Sequence, residues 1–195
     1  MTKLVSEMKL TLDLAKSILK KHVTEDHLLI HASAVSAAME AMADRFNCDA
    51  NEKDHWAAIG YLHDVDYEKF PEEHCKHVRE LLEPEGIDES DIDSIISHGF
   101  GMCTDEIEPS TDLQKSLFAV DELTGIVHAY ALMRPENFDG MNVKSLKKKF
   151  KDKKFAAGCK RDVIQIGADK LGMSLEDLMQ ACIDGMSLHK SELGF

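Results

Sequence analysis

Leu28, Ala32, Val35, Met39, Met42 and Phe46 follow one another at alternating steps of four and three residues. That spacing falls on a single face only in an α-helix, so segment 24–46 reads as a helix with its apolar stripe turned inward. Thr24 is placed as its N-cap, with Glu25 and Asp26 in the first turn, where negative charge is favoured. A weaker stripe runs over 8–21. Further helices are expected over 51–63, 72–83, 88–98, 112–133, 160–171 and 174–192, bounded by Pro71, Pro84, Gly99, Pro135 and Ser174. No stretch alternates with period two between turn residues, and no internal repeat appears. The expected fold is therefore all-α, a compact helical bundle forming one domain over 1–195. A core motif region spans about 24–135, and a basic plus C-terminal helical extension covers 136–195. The link 99–111 is long for a compact domain, and such links often cover a site.

Charge and cysteine content narrow the class. The net charge is −13, which repels phosphates over most of the surface and argues against wrapping long nucleic acid. No apolar run approaches the roughly 20 residues that span a bilayer, and MTKLVSEMKL has no signal-peptide core, so the expected location is cytoplasmic, away from membranes. Five scattered cysteines (Cys48, Cys75, Cys103, Cys159, Cys182) include no CxxC pair and are read as reduced thiols.

Polar residues lie where the core should be. His31 sits three residues after Leu28 and four before Val35. His63 follows Ile59 by four and is joined to Asp64. His74 precedes Val78 and Leu81 by four and seven, and His98 follows Ile95 by three. Asp121 follows Leu117 by four in a largely apolar helix. One histidine on an apolar face is more often a hydrogen-bonded core residue than a ligand. Several imidazoles and carboxylates aimed inward together are different. Unpaired buried charge costs several kcal/mol, and a shared cation satisfies the whole set.

At these residues the chain resembles the HD-domain phosphohydrolase family. His31, then His63-Asp64, then Asp121 stand in the order H…HD…D. The flanking segments LLIHASAVSAAMEAMA, AAIGYLHDVDYEKFPEEH and LFAVDELTGIVHAYALMRP are also similar to a subgroup of small bacterial HD proteins. The likeness continues through KKKFKDKKFAAG, covering about 15–190. The resemblance implies a helical domain holding a divalent metal through His31, His63, Asp64 and Asp121. Two-metal members add two histidines, for which His74 and His98 are suitably placed, with Asp64 bridging; His77 is a rival for His74. One or two ions of Fe, Mn, Co, Ni, Zn or Mg are expected, acting on a phosphoester of a nucleotide or another small phosphorylated substrate through activated water. Asp64 or Asp66 is the candidate for orienting that water. Many members continue HD with a small residue and a Lys, whereas this chain reads HDVDYEK, displacing Lys69 and adding Asp66 and Glu68.

Residues 144–161 hold nine basic side chains against Asp152 alone, an island of +8 in a remainder of −21. Such runs are usually solvated surface, but this one also suits a phosphate. Lys149 within it, Arg134 and Lys69 are the candidate substrate-binding residues, Arg134 because a guanidinium grips phosphate bidentately. Two other classes stand beside the enzyme. One is a regulatory module holding metal and nucleotide without turnover; the other is a nucleic-acid binder using the island.

Overall fold

The computed structural model describes residues 10–195, and it is all-helical among them; Met8 and Lys9 of the first expected helix lie outside that range. The helices are α1 (Leu12–Leu19), α2 (Asp26–Arg45), α3 (Ala50–Leu62), α4 (Val78–Leu82), α5 (Glu89–Ile96), α6 (Asp112–Met133), α7 (Val143–Lys151), α8 (Arg161–Leu171) and α9 (Leu175–Leu188). Helix α2 is the centre of the packing. It lies against α3, α6 and α9, while α1 packs on α3 and α8 on α6. The extension after residue 135 contributes Leu146, Ile164, Leu178, Met179 and Ile183 to the same buried cluster as Val35, Ile59 and Val120.

Small residues set these approaches. Helix α2 buries Ala32, Ala34, Ala37, Ala38 and Ala43, leaving room for neighbouring backbones. A β-carbon on Gly185 of α9 would land on the Ala37 carbonyl, and one on Gly167 of α8 would lie 2.5 Å from the Ala119 α-carbon. Interiors this dense do not yield to an added methyl without backbone shifts. The contact at Ala119 also fixes the stretch of α6 that carries Asp121, two residues further along the helix.

Three local expectations fail for physical reasons. Thr24 does not cap α2, which starts after Glu25 without a side-chain cap of that residue. Instead the Glu68 carboxylate accepts from the backbone N–H groups of Thr24 (2.7 Å) and Glu25 (3.0 Å) and from the Thr24 hydroxyl (2.9 Å). A tertiary carboxylate thus takes the orphan donors at the positive end of the helix. Segment 72–83 is not one helix. A 3₁₀ turn over Pro71–Glu73 breaks at His74, which is extended, and Cys75 adopts φ +70° before α4 begins. Conversely, α7 forms inside the basic island. Asn142 caps it, and Leu146 is buried beneath the lysines.

These features give two expected outcomes. Gly167→Ala should cost about 1–3 kcal/mol in urea unfolding through overpacking of α8 on α6; an unchanged midpoint would refute the close approach. The hydrogen bonds from Glu25 and Thr24 hold the Glu68 carboxyl below its ordinary 4.5. A depressed folded pKa stabilises above the unfolded value and is lost as pH falls through the folded one. The stability gap between wild type and Glu68→Gln should therefore be full at neutral pH and shrink below pH 4.5.

Candidate metal centre

The site is assembled where helices end. His63 is the C-cap of α3, and His98 lies in the 3₁₀ turn Ser97–Gly99 that closes α5. Each donates its Nδ1–H to a carbonyl three residues back, His63 to Gly60 at 2.8 Å and His98 to Ile95 at 2.6 Å. Helix ends leave carbonyls unpartnered, and the two imidazoles fill that role. A carbonyl only accepts, so Nδ1 carries the hydrogen and the Nε2 lone pair points the other way. His74 reaches the same state by another route, donating Nδ1–H to Asp66 at 2.8 Å.

The freed nitrogens face one another and two carboxylates. His31, on α2, and His63 bring their Nε2 atoms to 3.2 Å. Asp121 Oδ1, from the middle of α6, lies 3.0 Å from His31 and 3.4 Å from His63. Asp64 Oδ2 lies 3.6 Å and 3.3 Å from the same two nitrogens. On its other side Asp64 Oδ1 is 3.2 Å from His74 Nε2 and 3.6 Å from His98 Nε2. His74 and His98 are themselves 3.0 Å apart through Nε2. Nitrogen or oxygen donors about 2.0–2.1 Å from one ion are spaced roughly 2.9–3.4 Å apart in octahedral or tetrahedral geometry. Two such sets are present, hinged on the two oxygens of Asp64, and the residues fit a divalent metal.

The electrostatics agree. Burial works against the His63 imidazolium, yet Asp64 and Asp121 outweigh it and hold the ring well above its ordinary 6.5. His74 is buried too, and its hydrogen bonds to Asp64 and Asp66 raise it to about 10. Burial pushes the Asp64 and Asp121 carboxyls up, but the facing histidines, His63 first, hold both well below the usual carboxylate range. The cluster attracts positive charge strongly, and any metal entering it must displace protons.

These residues open onto a cleft of about 570 Å³, a volume ordinary for a small-molecule pocket. Tyr67, Pro71, Met102, Gly158 and Lys160 complete its walls beside His31 and His74. The link 99–111 does reach the site, since Met102 and Cys103 line the cleft.

All six expected ligands, His31, His63, Asp64, His74, His98 and Asp121, come together. His74 arrives by a kinked turn rather than along a helical stripe, and its rival His77 pairs instead with Glu73 and Glu80. Asp66 is not placed for chemistry on a substrate. It is fully buried, accepting from His74 with one oxygen and from the His77 backbone N–H (3.2 Å) with the other. It is a positioning residue for His74. The three expected substrate-binding residues are not among those lining the cleft. Lys69 turns away to His22 Nδ1 at 2.9 Å. Arg134 spends its guanidinium on the carbonyls of Asn137 and Asp139. Lys149 lies over the Tyr130 and Phe155 rings.

Lys160 is the basic residue that the sequence pattern does not single out. Its neighbour Arg161 donates to the carbonyls of Phe150, Asp152, Phe155, Ala156 and Cys159, knotting the end of the island into a loop. That loop carries Gly158, Cys159 and Lys160 to the cleft, and the Lys160 backbone N–H is fixed on Glu122 at 3.0 Å. Nothing in the local pattern of lysines separates Lys160 from its neighbours, because the selection is made by the Arg161 knot.

Partners that orient metal-bound histidines usually govern affinity by roughly 10–100-fold. Asp66→Asn should weaken one of two bound ions by that factor in calorimetric titration and leave the other unchanged. Equal weakening of both, or of neither, would contradict the positioning role.

No family model, no curated protein and no solved structure matches the chain.

Proposed function

We propose that the protein is a metal-dependent phosphohydrolase acting on a small phosphorylated substrate, with a nucleotide the favoured class. The observation that carries this reading is the pair of donor sets hinged on Asp64 at the floor of one cleft with Lys160 on its wall. Imidazole and carboxylate donors suit Mn, Fe, Co, Ni or Zn, and Mg more weakly. A divalent ion held by His31, His63, Asp64 and Asp121, and a second held by His74, His98 and Asp64, supply Lewis acidity and acidify water near a phosphoryl group. The resemblance to the H…HD…D pattern points the same way.

The protein's own groups then have defined tasks. Asp64, with one oxygen toward each donor set, orients both sides of the site. Asp66 and the carbonyls of Gly60 and Ile95 keep the Nε2 lone pairs of His74, His63 and His98 directed inward. Lys160 offers its ammonium to a phosphate oxygen at the cleft wall, where the remaining surface is acidic. A cleft of about 570 Å³, lined by Met102, Tyr67 and Pro71 among others, suits a small-molecule substrate.

A non-catalytic metal- and nucleotide-binding module is the second reading. It draws on Lys69, which leaves the cleft without the lysine that many HD proteins place after the motif. Turnover separates the two.

The deciding experiment is a screen of purified protein, stripped by chelator and reloaded with each metal, against nucleotides, cyclic dinucleotides and dinucleoside polyphosphates. His63→Ala and Asp121→Ala should each abolish hydrolysis and bound metal while keeping helical circular dichroism. Lys160→Ala should raise KM at least several-fold, whereas the Lys147/Lys148/Lys149 triple alanine variant should leave KM unchanged. Full metal content in either ligand variant would refute the assignment, and nucleotide binding without turnover for any metal would favour the regulatory reading.

A further inference from the structure

One group beside the second donor set has no part in the proposed hydrolysis. Cys75 is 1% exposed, and its Sγ lies 3.8 Å from His98 Nε2. The donor atoms of His74, Cys75 and His98 all fall within 4.8 Å of one another. Nitrogen and sulfur donors at about 2.0–2.1 Å and 2.3 Å from one ion stand roughly 3.1–3.6 Å apart, close to this spacing.

The backbone is bent to bring the sulfur there. Consecutive residues on a regular element point to different sides, so His74 and Cys75 should not face one site together. Here His74 is extended and Cys75 takes φ +70°, a conformation that a non-glycine side chain rarely adopts. Strained backbone of this kind persists where surrounding structure requires it, and functional sites are where it collects. A second feature keeps space for the sulfur. A β-carbon on Gly99 would lie 2.5 Å from both Cys75 Sγ and Cys103 Sγ, so a larger residue after His98 would push the two sulfurs aside. Cys103 then stands 3.3 Å from Cys75 and can hydrogen-bond its sulfur.

We infer that Cys75 is a ligand of the second metal, which makes that position a mixed His74, His98, Asp64 and Cys75 site selective for a thiophilic divalent ion such as zinc or cobalt. The inference rests on the two-metal reading of the proposed function. A thiolate among the donors separates the two positions by softness, since the His31, His63, Asp64 and Asp121 set holds only nitrogen and oxygen. Loading releases the thiol proton to solvent as the metal–sulfur bond forms.

Cobalt(II) titration of the chelator-stripped protein tests this without any activity measurement. Two equivalents should bind, and one should develop a sulfur-to-cobalt charge-transfer band in the near ultraviolet. Cys75→Ser should lose the band, while Cys103→Ser should keep it. Two bound cobalt ions with no such band would overturn the thiolate assignment and leave the two-metal reading intact. Failure to bind cobalt at all would instead overturn the two-metal reading itself. A band that survives in Cys75→Ser would also refute the proposal. Should the serine variant not fold, X-ray absorption of wild-type protein loaded with two zinc ions decides the matter. A sulfur scatterer averaging one per two zinc ions is expected, and a shell of nitrogen and oxygen alone refutes it.

Discussion

Three imidazoles in this molecule have their Nδ1 hydrogens committed elsewhere, and their Nε2 atoms converge on each other and on two buried carboxylates. Lone pairs and negative oxygens at hydrogen-bond distance repel unless positive charge lies among them. That charge can be a proton on His63 or His74 or a metal ion, and the cluster is a possible metal site. His63 at 0% exposure and His98 at 2% would be costly core residues without that charge.

Much of the architecture serves to hold those groups in place. Helix α2 carries His31 and is gripped by α3 and α9 through small residues. Its first turn is tied to the His63-Asp64 turn by Glu68, so a single carboxylate links the two halves of the H…HD pattern. Helix α6 carries Asp121 and is held by α8, where Gly167 meets Ala119. The basic island has a comparable structural role. Arg161 folds its end by collecting carbonyls, and one lysine of the series is thereby delivered to the cleft.

The helices and the ligands are legible in the sequence to different depths. Apolar spacing and end signals locate α2, α3, α5 and α6, although α3 buries the whole run 56–62 and α2 the run 34–39 rather than a single face. It fails at 72–83, where Val78 and Leu81 imitate a stripe that His74 does not belong to. The turn there is dictated by Cys75 and by the Asp66 hydrogen bonds, which are tertiary. It also passes over α7, whose lysines mask the single buried Leu146. The expected substrate-binding residues share one feature. Charge and chain position favour Lys69, Arg134 and Lys149, and each has a nearer partner than a phosphate in the cleft.

By itself, the sequence determined an all-helical fold with His31, His63, His98 and Asp121 on inward faces, while Asp64 and the full set of six came from the likeness to the H…HD…D pattern. Helical period and the cost of burying polar groups are local properties that a single sequence carries. Only the tertiary structure decided that His74 arrives by a kinked turn, that Asp66 supports it, that Lys160 is the lysine lining the cleft, and that Cys75 lies beside His98. Each of these depends on distances of roughly 3 to 4 Å between residues far apart along the chain, and such distances are set by how helices pack against one another.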